Sequence, residues 1–333
     1  MTVAMIRILL AHTPEMRRNY YGERALSGLR ALGEVTLHEA AEALAGETLV
    51  AAARGAAIIV ADRNTPGAGV VFERSPELVA FVRCAVEIRN VDVGAASANG
   101  VLVTRASAGF VPAVTELVLG LLVDLSRGVA RAAADSRAGR GPPARMGRQL
   151  AGSTLGVIGY GAIGRRVAAM GVGLGMRVLV SDPHVRSTET GIEQVELGDL
   201  LAASDYVVCL AVATPETENL MNDPAFERMK PGACFVNVSR GNLVDEAALT
   251  RALDSGRIAG AALDVGRDPD QMPTPAIARH EKVIATPHVG GLTPQAIEHQ
   301  ALETVAQVAE IAKGRAPKGA VNATQALRLG SLP

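Results

Sequence analysis

Short apolar runs recur from one end of the 333-residue chain to the other, separated by amphipathic or turn-rich segments. The first series is IRILLA (6–11), EVTLH (34–38), AAIIVA (56–61), VRCAV (82–86) and VLVT (101–104). The second is TLGVIG (154–159), RVLVSD (177–182), YVVCL (206–210), ACFVNV (233–238), IAGAALDV (258–265) and KVIA (282–285). A strand that is apolar along its whole length must be covered on both faces. That is the situation of parallel strands sandwiched between helices. Helical spacing is expected over 16–32, 111–134 and 293–313, the second carried by Leu117, Leu121, Leu122 and Leu125. The Gly/Pro/Arg-rich stretch 138–147, with two adjacent prolines, ends any helix and separates the two series. The expected fold class is therefore α/β, with two doubly wound parallel-sheet domains, which suits the chain length.

Composition removes several functional classes. Thirty-three basic against 34 acidic residues give a formal net charge of -1, so no general field draws nucleic acid or an anionic membrane. The cluster Arg137, Arg140, Arg145 and Arg148 reads as a solvated connector. It lacks interleaved aromatics, and the chain has no tryptophan to build a base-stacking platform. Three cysteines, Cys84, Cys209 and Cys234, do not make a disulfide framework and suit a reducing compartment. The opening MTVAMIRILLAH has neither a basic leader region nor a cleavage site, and the apolar run LVLGLLV (117–123) stops at Asp124. A cytoplasmic protein is expected. No spacing of Cys, His and Asp suggests a metal site.

The most informative local motif is LGVIGYGAIGRRVA (155–168), with Gly159, Gly161 and Gly164 in G-x-G-x-x-G register between an apolar strand and an amphipathic helix. Gly159 suits a tight turn, Gly161 lets the backbone approach a pyrophosphate, and Gly164 allows close helix–strand packing. The phosphates would rest on N–H groups at the helix start, around Ala162 and Ile163. The next strand ends in Asp182, where a carboxylate would accept from a ribose 2′-hydroxyl and repel a 2′-phosphate. That favours NAD over NADP, although His184 and Arg186 nearby soften the preference.

Five ordered segments carry a wider pattern: LAGSTLGVIGYGAIGRRVA, SDYVVCLAVATPETENLMN (204–222), MKPGACFVNVSRGNLVDEAAL (229–249), IAGAALDV and TPHVGGLT (286–293). In these the chain resembles the D-isomer-specific 2-hydroxyacid dehydrogenase family, the group of phosphoglycerate dehydrogenases and related D-lactate and glyoxylate/hydroxypyruvate enzymes. The resemblance implies a Rossmann cofactor domain (104–290) inserted into a flavodoxin-like substrate domain (1–103 and 291–333). It also implies a homodimer formed through the helix near 111–134, and NAD as cofactor. Thr214 and Asp264 join the cofactor-binding set by this resemblance, Asp264 near the nicotinamide carboxamide.

The same resemblance assigns catalytic roles. Arg240 in NVSRG would bind the substrate carboxylate, for which a planar guanidinium offers two parallel charge-assisted hydrogen bonds. His288 in TPHVGG would be the general acid/base, since imidazole titrates at about 6.5. Two departures stand out. Where the family has an aromatic and then a Glu-Pro pair, this chain reads DVGRDPDQMPTP (264–275). Asp268 fits the glutamate position with one residue deleted, and Asp270 is the second option. In RCAVEIRNVD (83–92), Ala85 and Glu87 stand at glycine-like places, and Arg89 replaces an acid. Val86, Glu87 and Arg89 are the candidate substrate contacts from this loop. Arg89 either pairs with Glu87 or Asp92, or adds charge for a dianionic substrate. Phe110 would make the pocket more apolar. The expected activity is hydride transfer between NAD(H) and a small D-2-hydroxy or 2-oxo acid. The alternatives are a dinucleotide-sensing protein of the same fold and a dehydrogenase of an inorganic or one-carbon anion.

Overall fold

The structure, a computed structural model, describes residues 5–141, 143, 144 and 146–332, without the side chain of Asp270. Arg145 of the basic connector lies outside the described residues; its neighbour Arg140 is paired with Asp135 through Nε and Nη2, at 3.0 and 2.7 Å. The chain divides into two compact units, Met1–Gly109 with Thr293–Pro333, and Phe110–Leu292.

In the first unit, strands β1 (Ile6–Leu10), β2 (Gly33–Leu37), β3 (Ile58–Ala61), β4 (Ala80–Arg83) and β5 (Leu102–Arg105) form one parallel sheet in the order β2-β1-β3-β4-β5. This is the flavodoxin-like order. Alternate residues of each strand enter opposite cores. Ile8, Leu10, Ile58, Val60, Ala80, Val82 and Leu102 point to one face, and Leu9, Ile59, Ala61, Phe81 and Val103 to the other. Both faces are dry, which is why the strands are apolar throughout rather than alternating. One face is closed by helices Gly22–Arg30 and Pro294–Ile311, so residues from the two ends of the chain share a core that includes Leu26, Leu29, Ala301, Val308 and Ile311.

The second unit holds β6 (Thr154–Ile158), β7 (Arg177–Ser181), β8 (Ile192–Gln194), β9 (Tyr206–Cys209), β10 (Ala233–Asn237), β11 (Ile258–Leu263) and β12 (Val283–Ala285). They pair in parallel in the order β12-β11-β10-β9-β6-β7-β8. The order reverses between β6 and β9, the topological switch point of a Rossmann sheet. Leu155, Val157, Val178, Val208 and Val236 fill one core; Ile158, Leu179, Val207, Phe235 and Leu263 fill the other.

Local departures from the sequence reading have local causes. The helix expected over 111–134 breaks at Gly128, whose φ of 67° is left-handed. The Asp124 carboxylate then accepts from Ala130 N at 2.8 Å and helps start a second helix, Val129–Arg137. Gly22, at φ 81°, likewise divides the helix expected over 16–32. The strand expected at 82–86 lies earlier, at 80–83. Strand β8 is an added edge strand whose sequence IEQ carries no apolar run. No helix among the described residues is long and apolar enough to cross a membrane.

Candidate active site

The glycine turn sits where β6 and β9 diverge. Gly159 has φ 93°, and a Cβ there would lie 2.7 Å from the carbonyl of Leu210, just past β9. Only glycine satisfies both conditions. A Cβ on Gly164 would run into the carbonyl oxygen of Gly159. Gly161 differs: its φ is −76°, it precedes helix Ala162–Gly173 as an uncapped N-cap, and a Cβ there would meet nothing within 4 Å. The first N–H groups of that helix, those of Ala162 and Ile163 among them, thus have no capping side chain, and open space lies in front of Gly161. An uncapped helix start and an open approach fit a pyrophosphate.

Asp182 follows β7 and faces this turn. Its Oδ2 accepts from Tyr160 N at 2.7 Å, and its Oδ1 from His184 N and Val185 N at 2.8 and 2.9 Å. Partial burial pushes its pKa upward, but the three N–H donors outweigh this and hold the carboxyl below its usual range. Asp182 therefore carries its charge at neutral pH and braces the glycine turn as well, a second role that spacing alone did not indicate. Thr214, past β9, opens the short turn Pro215–Thr217, its N–H donating to Thr217 Oγ1 at 2.8 Å.

Adjacent strands β10, β11 and β12 deliver Arg240, Asp264 and His288 at their C-terminal ends, the edge where α/β sites form. Asn237, 1% exposed, shapes the first turn: its Nδ2 donates to Arg240 O at 2.9 Å, and its Oδ1 accepts from Ser239 N at 3.1 Å. The half-buried Arg240 donates from Nη1 to Ser239 O at 2.7 Å. Asp264 is also 1% exposed, and its carboxylate organises the His288 loop. It accepts from Thr286 Oγ1 at 2.7 Å and from Val289 N and Gly290 N at 2.8 Å each. His288 lies between these donors with φ 53°, left-handed and uncommon for a residue with a side chain. Three charge-assisted hydrogen bonds around it hold that backbone in place.

Asp268 belongs to a tight excursion after β11. Gly266 N donates to Gln271 O at 2.7 Å and Asp268 N to Met272 O at 3.0 Å, with Gln271 at φ 61°. The Asp268 carboxylate has no hydrogen-bonding partner among the described residues. The side chain of Asp270, the second option for the acid, lies outside them.

In the first unit, the loop after β4 carries Val86, Glu87 and Arg89. Arg89 pairs with Glu87, Nε to Oε2 at 2.9 Å, and Arg89 N donates to Glu87 Oε1 at 2.9 Å. This is the simpler of the two readings offered for Arg89. The loop has an anchor that sequence reasoning passed over. Arg83 is fully buried, donates from Nη1 to Asp62 O and from Nη2 to Asn90 Oδ1 (2.8 Å), and Asn90 Nδ2 reaches Arg63 O at 3.0 Å. Burial lowers the guanidinium pKa to about 10 against the pull of Asp62, so it stays charged. The available signal was an arginine at the end of an otherwise apolar strand. Burial pushes the thiols of Cys84 and Cys209 up to about 12 and that of Cys234 to about 11, which leaves no thiolate at neutral pH. Among the described residues no group of three His, Cys, Asp or Glu is placed to hold a metal.

Comparison with known proteins agrees with this geometry. Residues 119–290 match the model of the D-isomer specific 2-hydroxyacid dehydrogenase, NAD binding domain. D-3-phosphoglycerate dehydrogenase 2, chloroplastic, of Arabidopsis thaliana is 35% identical over 307 residues, 91% of this chain and 49% of that protein. The chain thus spans about half the length of the curated relatives it matches. Among solved structures, the TT0316 protein of Thermus thermophilus has 30% identity and a TM-score of 0.82, covering 95% of this chain and all of that one. The apo-structure of D-lactate dehydrogenase from Escherichia coli has 27% identity and a TM-score of 0.81 over 95% of this chain and 100% of that one. The cofactor of the Phe110–Leu292 unit is NAD, and the chain belongs to the D-isomer specific 2-hydroxyacid dehydrogenase family.

Proposed function

We propose that the protein is an NAD-dependent D-2-hydroxyacid dehydrogenase that interconverts a small 2-hydroxy acid and its 2-oxo acid. The observation that carries this reading is the delivery of Arg240 and His288 by β10 and β12, which flank β11, to the sheet edge that also bears the glycine turn. When bound, the nicotinamide supplies or accepts the hydride. Arg240 holds the substrate carboxylate through its guanidinium. His288 gives a proton to the carbonyl oxygen in reduction and takes it from the hydroxyl in oxidation. Asp264 keeps the His288 loop in its left-handed conformation, which supports a positioning role beside any contact with the nicotinamide carboxamide. Gly159, Gly161, Ala162, Ile163 and Gly164 form the pyrophosphate cradle, with Thr214 on the opposite lip. The Asp182 charge favours NAD over NADP. Val86, Glu87 and Arg89 are the substrate-contact candidates within the Met1–Gly109 unit, and the working form is a homodimer. Of the two candidate acids for orienting His288, Asp268 makes no hydrogen bond among the described residues, which leaves the role to Asp270 or to neither.

The test is oxidation of NADH against a panel of 2-oxo acids, including glyoxylate, pyruvate, hydroxypyruvate and 3-phosphohydroxypyruvate, with chiral analysis of the product. Turnover of at least one, giving the D-hydroxy acid wherever the product is chiral, is expected. Tight NADH binding with no turnover on any member would instead mark a dinucleotide sensor. Hydride transfer from formate or phosphite alone would mark a dehydrogenase of small anions.

A further inference from the structure

The sequence departs from the family's pattern most sharply just after Asp264, where the chain reads GRDPDQ. The structure gives that departure a job. Gly266 packs against Gly241, the residue after Arg240, so closely that a Cβ on Gly241 would collide with the backbone of Gly266. The next side chain, Arg267, then spans three segments. Its Nη1 pairs with Glu218 Oε1 at 2.9 Å. Its Nη2 donates to Asn219 Oδ1 at 2.6 Å and to Asn242 O at 3.0 Å, and its Nε donates to Val244 O at 3.2 Å. The two carbonyls belong to the segment that Arg240 opens, since Arg240 is the N-cap of the short turn Gly241–Leu243. Asn242 Nδ2 reaches Glu218 Oε2 at 2.9 Å, and Asn219 N donates to Asn242 O at 2.9 Å, closing the network. Asn219 itself is held at φ 53°.

We propose that Arg267 is a positioning residue for Arg240, fixing from outside the turn that presents the carboxylate-binding guanidinium. This rests on the reading of Arg240 given above. The argument is geometric. Arg240 is restrained on its own strand by Asn237, which bonds its carbonyl oxygen. Beyond it, Asn242 and Val244 are tied to the β11 excursion by the fork of Arg267. A guanidinium alone has enough donors in one plane to reach a carboxylate, an amide oxygen and two carbonyls together. Slackening the turn would displace the Arg240 fork and weaken bidentate capture of the carboxylate. The glycine turn and the His288 loop would be untouched, because neither contributes an atom to this network.

The test compares Arg267→Met and Arg267→Lys with Arg240→Lys in the full chain. It reads the KM of the best 2-oxo acid, kcat, and the Kd of NADH. Arg267→Met is expected to raise the substrate KM by about tenfold while kcat changes by less than about threefold and the NADH Kd holds. Arg267→Lys, which keeps charge but loses the fork, should recover part of that KM. Glu218→Gln, a milder break in the same network, should move KM in the same direction by about twofold, and it carries the test if Arg267→Met does not fold. A raised KM in Arg240→Lys with unchanged KM in Arg267→Met and Glu218→Gln overturns the positioning role alone. A parallel rise in NADH Kd, or a fall in kcat without a change in KM, overturns it too. An unchanged KM in Arg240→Lys overturns the role of Arg240 and this proposal with it.

Discussion

At the scale of single residues, the first unit carries an ionisable group far from its ordinary behaviour. His12 is fully buried just beyond β1, edge-on to Tyr21 at 4.9 Å, and neither ring nitrogen has a hydrogen-bonding partner among the described residues. Burial lowers its pKa to about 4. Asp62 pulls the other way, the Val60 carbonyl adds a little to that pull without meeting hydrogen-bond geometry, and Arg83 and Arg17 reinforce the lowering. The folded protein therefore keeps His12 neutral where the unfolded chain, titrating near its model value of 6.5, already takes a proton. Stability from this site is complete above that value and is lost as pH falls from 6.5 towards 4, by about 3 kcal/mol. Urea unfolding of wild type and His12→Phe at pH 7 and pH 4 measures this. The wild type should lose more stability than the variant by about that amount, and parallel losses would contradict it. Nothing in the sequence flagged His12. A histidine after an apolar strand looks the same whether the next layer is water or Tyr21, and only the fold reveals which.

At the scale of elements, the glycine turn offers a separation of structure from binding. Gly159→Ala places a Cβ on a left-handed backbone against the Leu210 carbonyl, so it should lower Tm and impair folding of the turn. Gly161→Ala meets no steric obstacle in the protein itself, so Tm should stay within about 1 °C of wild type while the Kd of NADH rises by about tenfold or more. Calorimetry and fluorescence titration check the pair; a Gly161→Ala protein that binds NADH normally would remove the pyrophosphate from that position. This motif could be read in advance because its central demands, a left-handed Gly159 and the close approach of Gly164 to the Gly159 carbonyl, are local, whereas the Leu210 carbonyl and the Asp182 brace reach it from other strands. The roles of Asp264 and Arg267 could not. The donors to Asp264 lie at residues 286, 289 and 290, and the partners of Arg267 at 218, 219, 242 and 244. Those meetings are set by which parallel strands lie side by side, and no periodicity encodes that. Helix ends were similarly hidden. Gly128 and Gly22 interrupt apolar spacing that continues on both sides of them, so only their positive φ marks the breaks.

At the scale of the whole molecule, the first unit is assembled from both ends of the chain. Gln307, 2% exposed on the last long helix, accepts from Thr104 Oγ1 at 2.7 Å and donates to Arg105 O at 2.9 Å and Lys318 O at 3.1 Å. Asn322 bonds Val103 N and Val101 O in the same sheet-edge region. Gln307→Ala would strand the buried Thr104 hydroxyl and release two part-buried carbonyls, and should cost about 2 kcal/mol. Hydrogen exchange should show the loss in β1 to β5 and not in the seven-stranded sheet; equal loss in both would contradict the division into units. The order of strands was implied by the βα alternation and the family resemblance together, since alternation alone gives parallel sheets without their sequence of neighbours. The account as a whole stands on His288 as the proton-transferring group. Its most direct test is single-turnover oxidation of bound NADH by the best 2-oxo acid in wild type and His288→Gln. The account predicts a fall in rate of about a hundredfold or more with NADH affinity unchanged. Hydride transfer at the wild-type rate in that variant would contradict it.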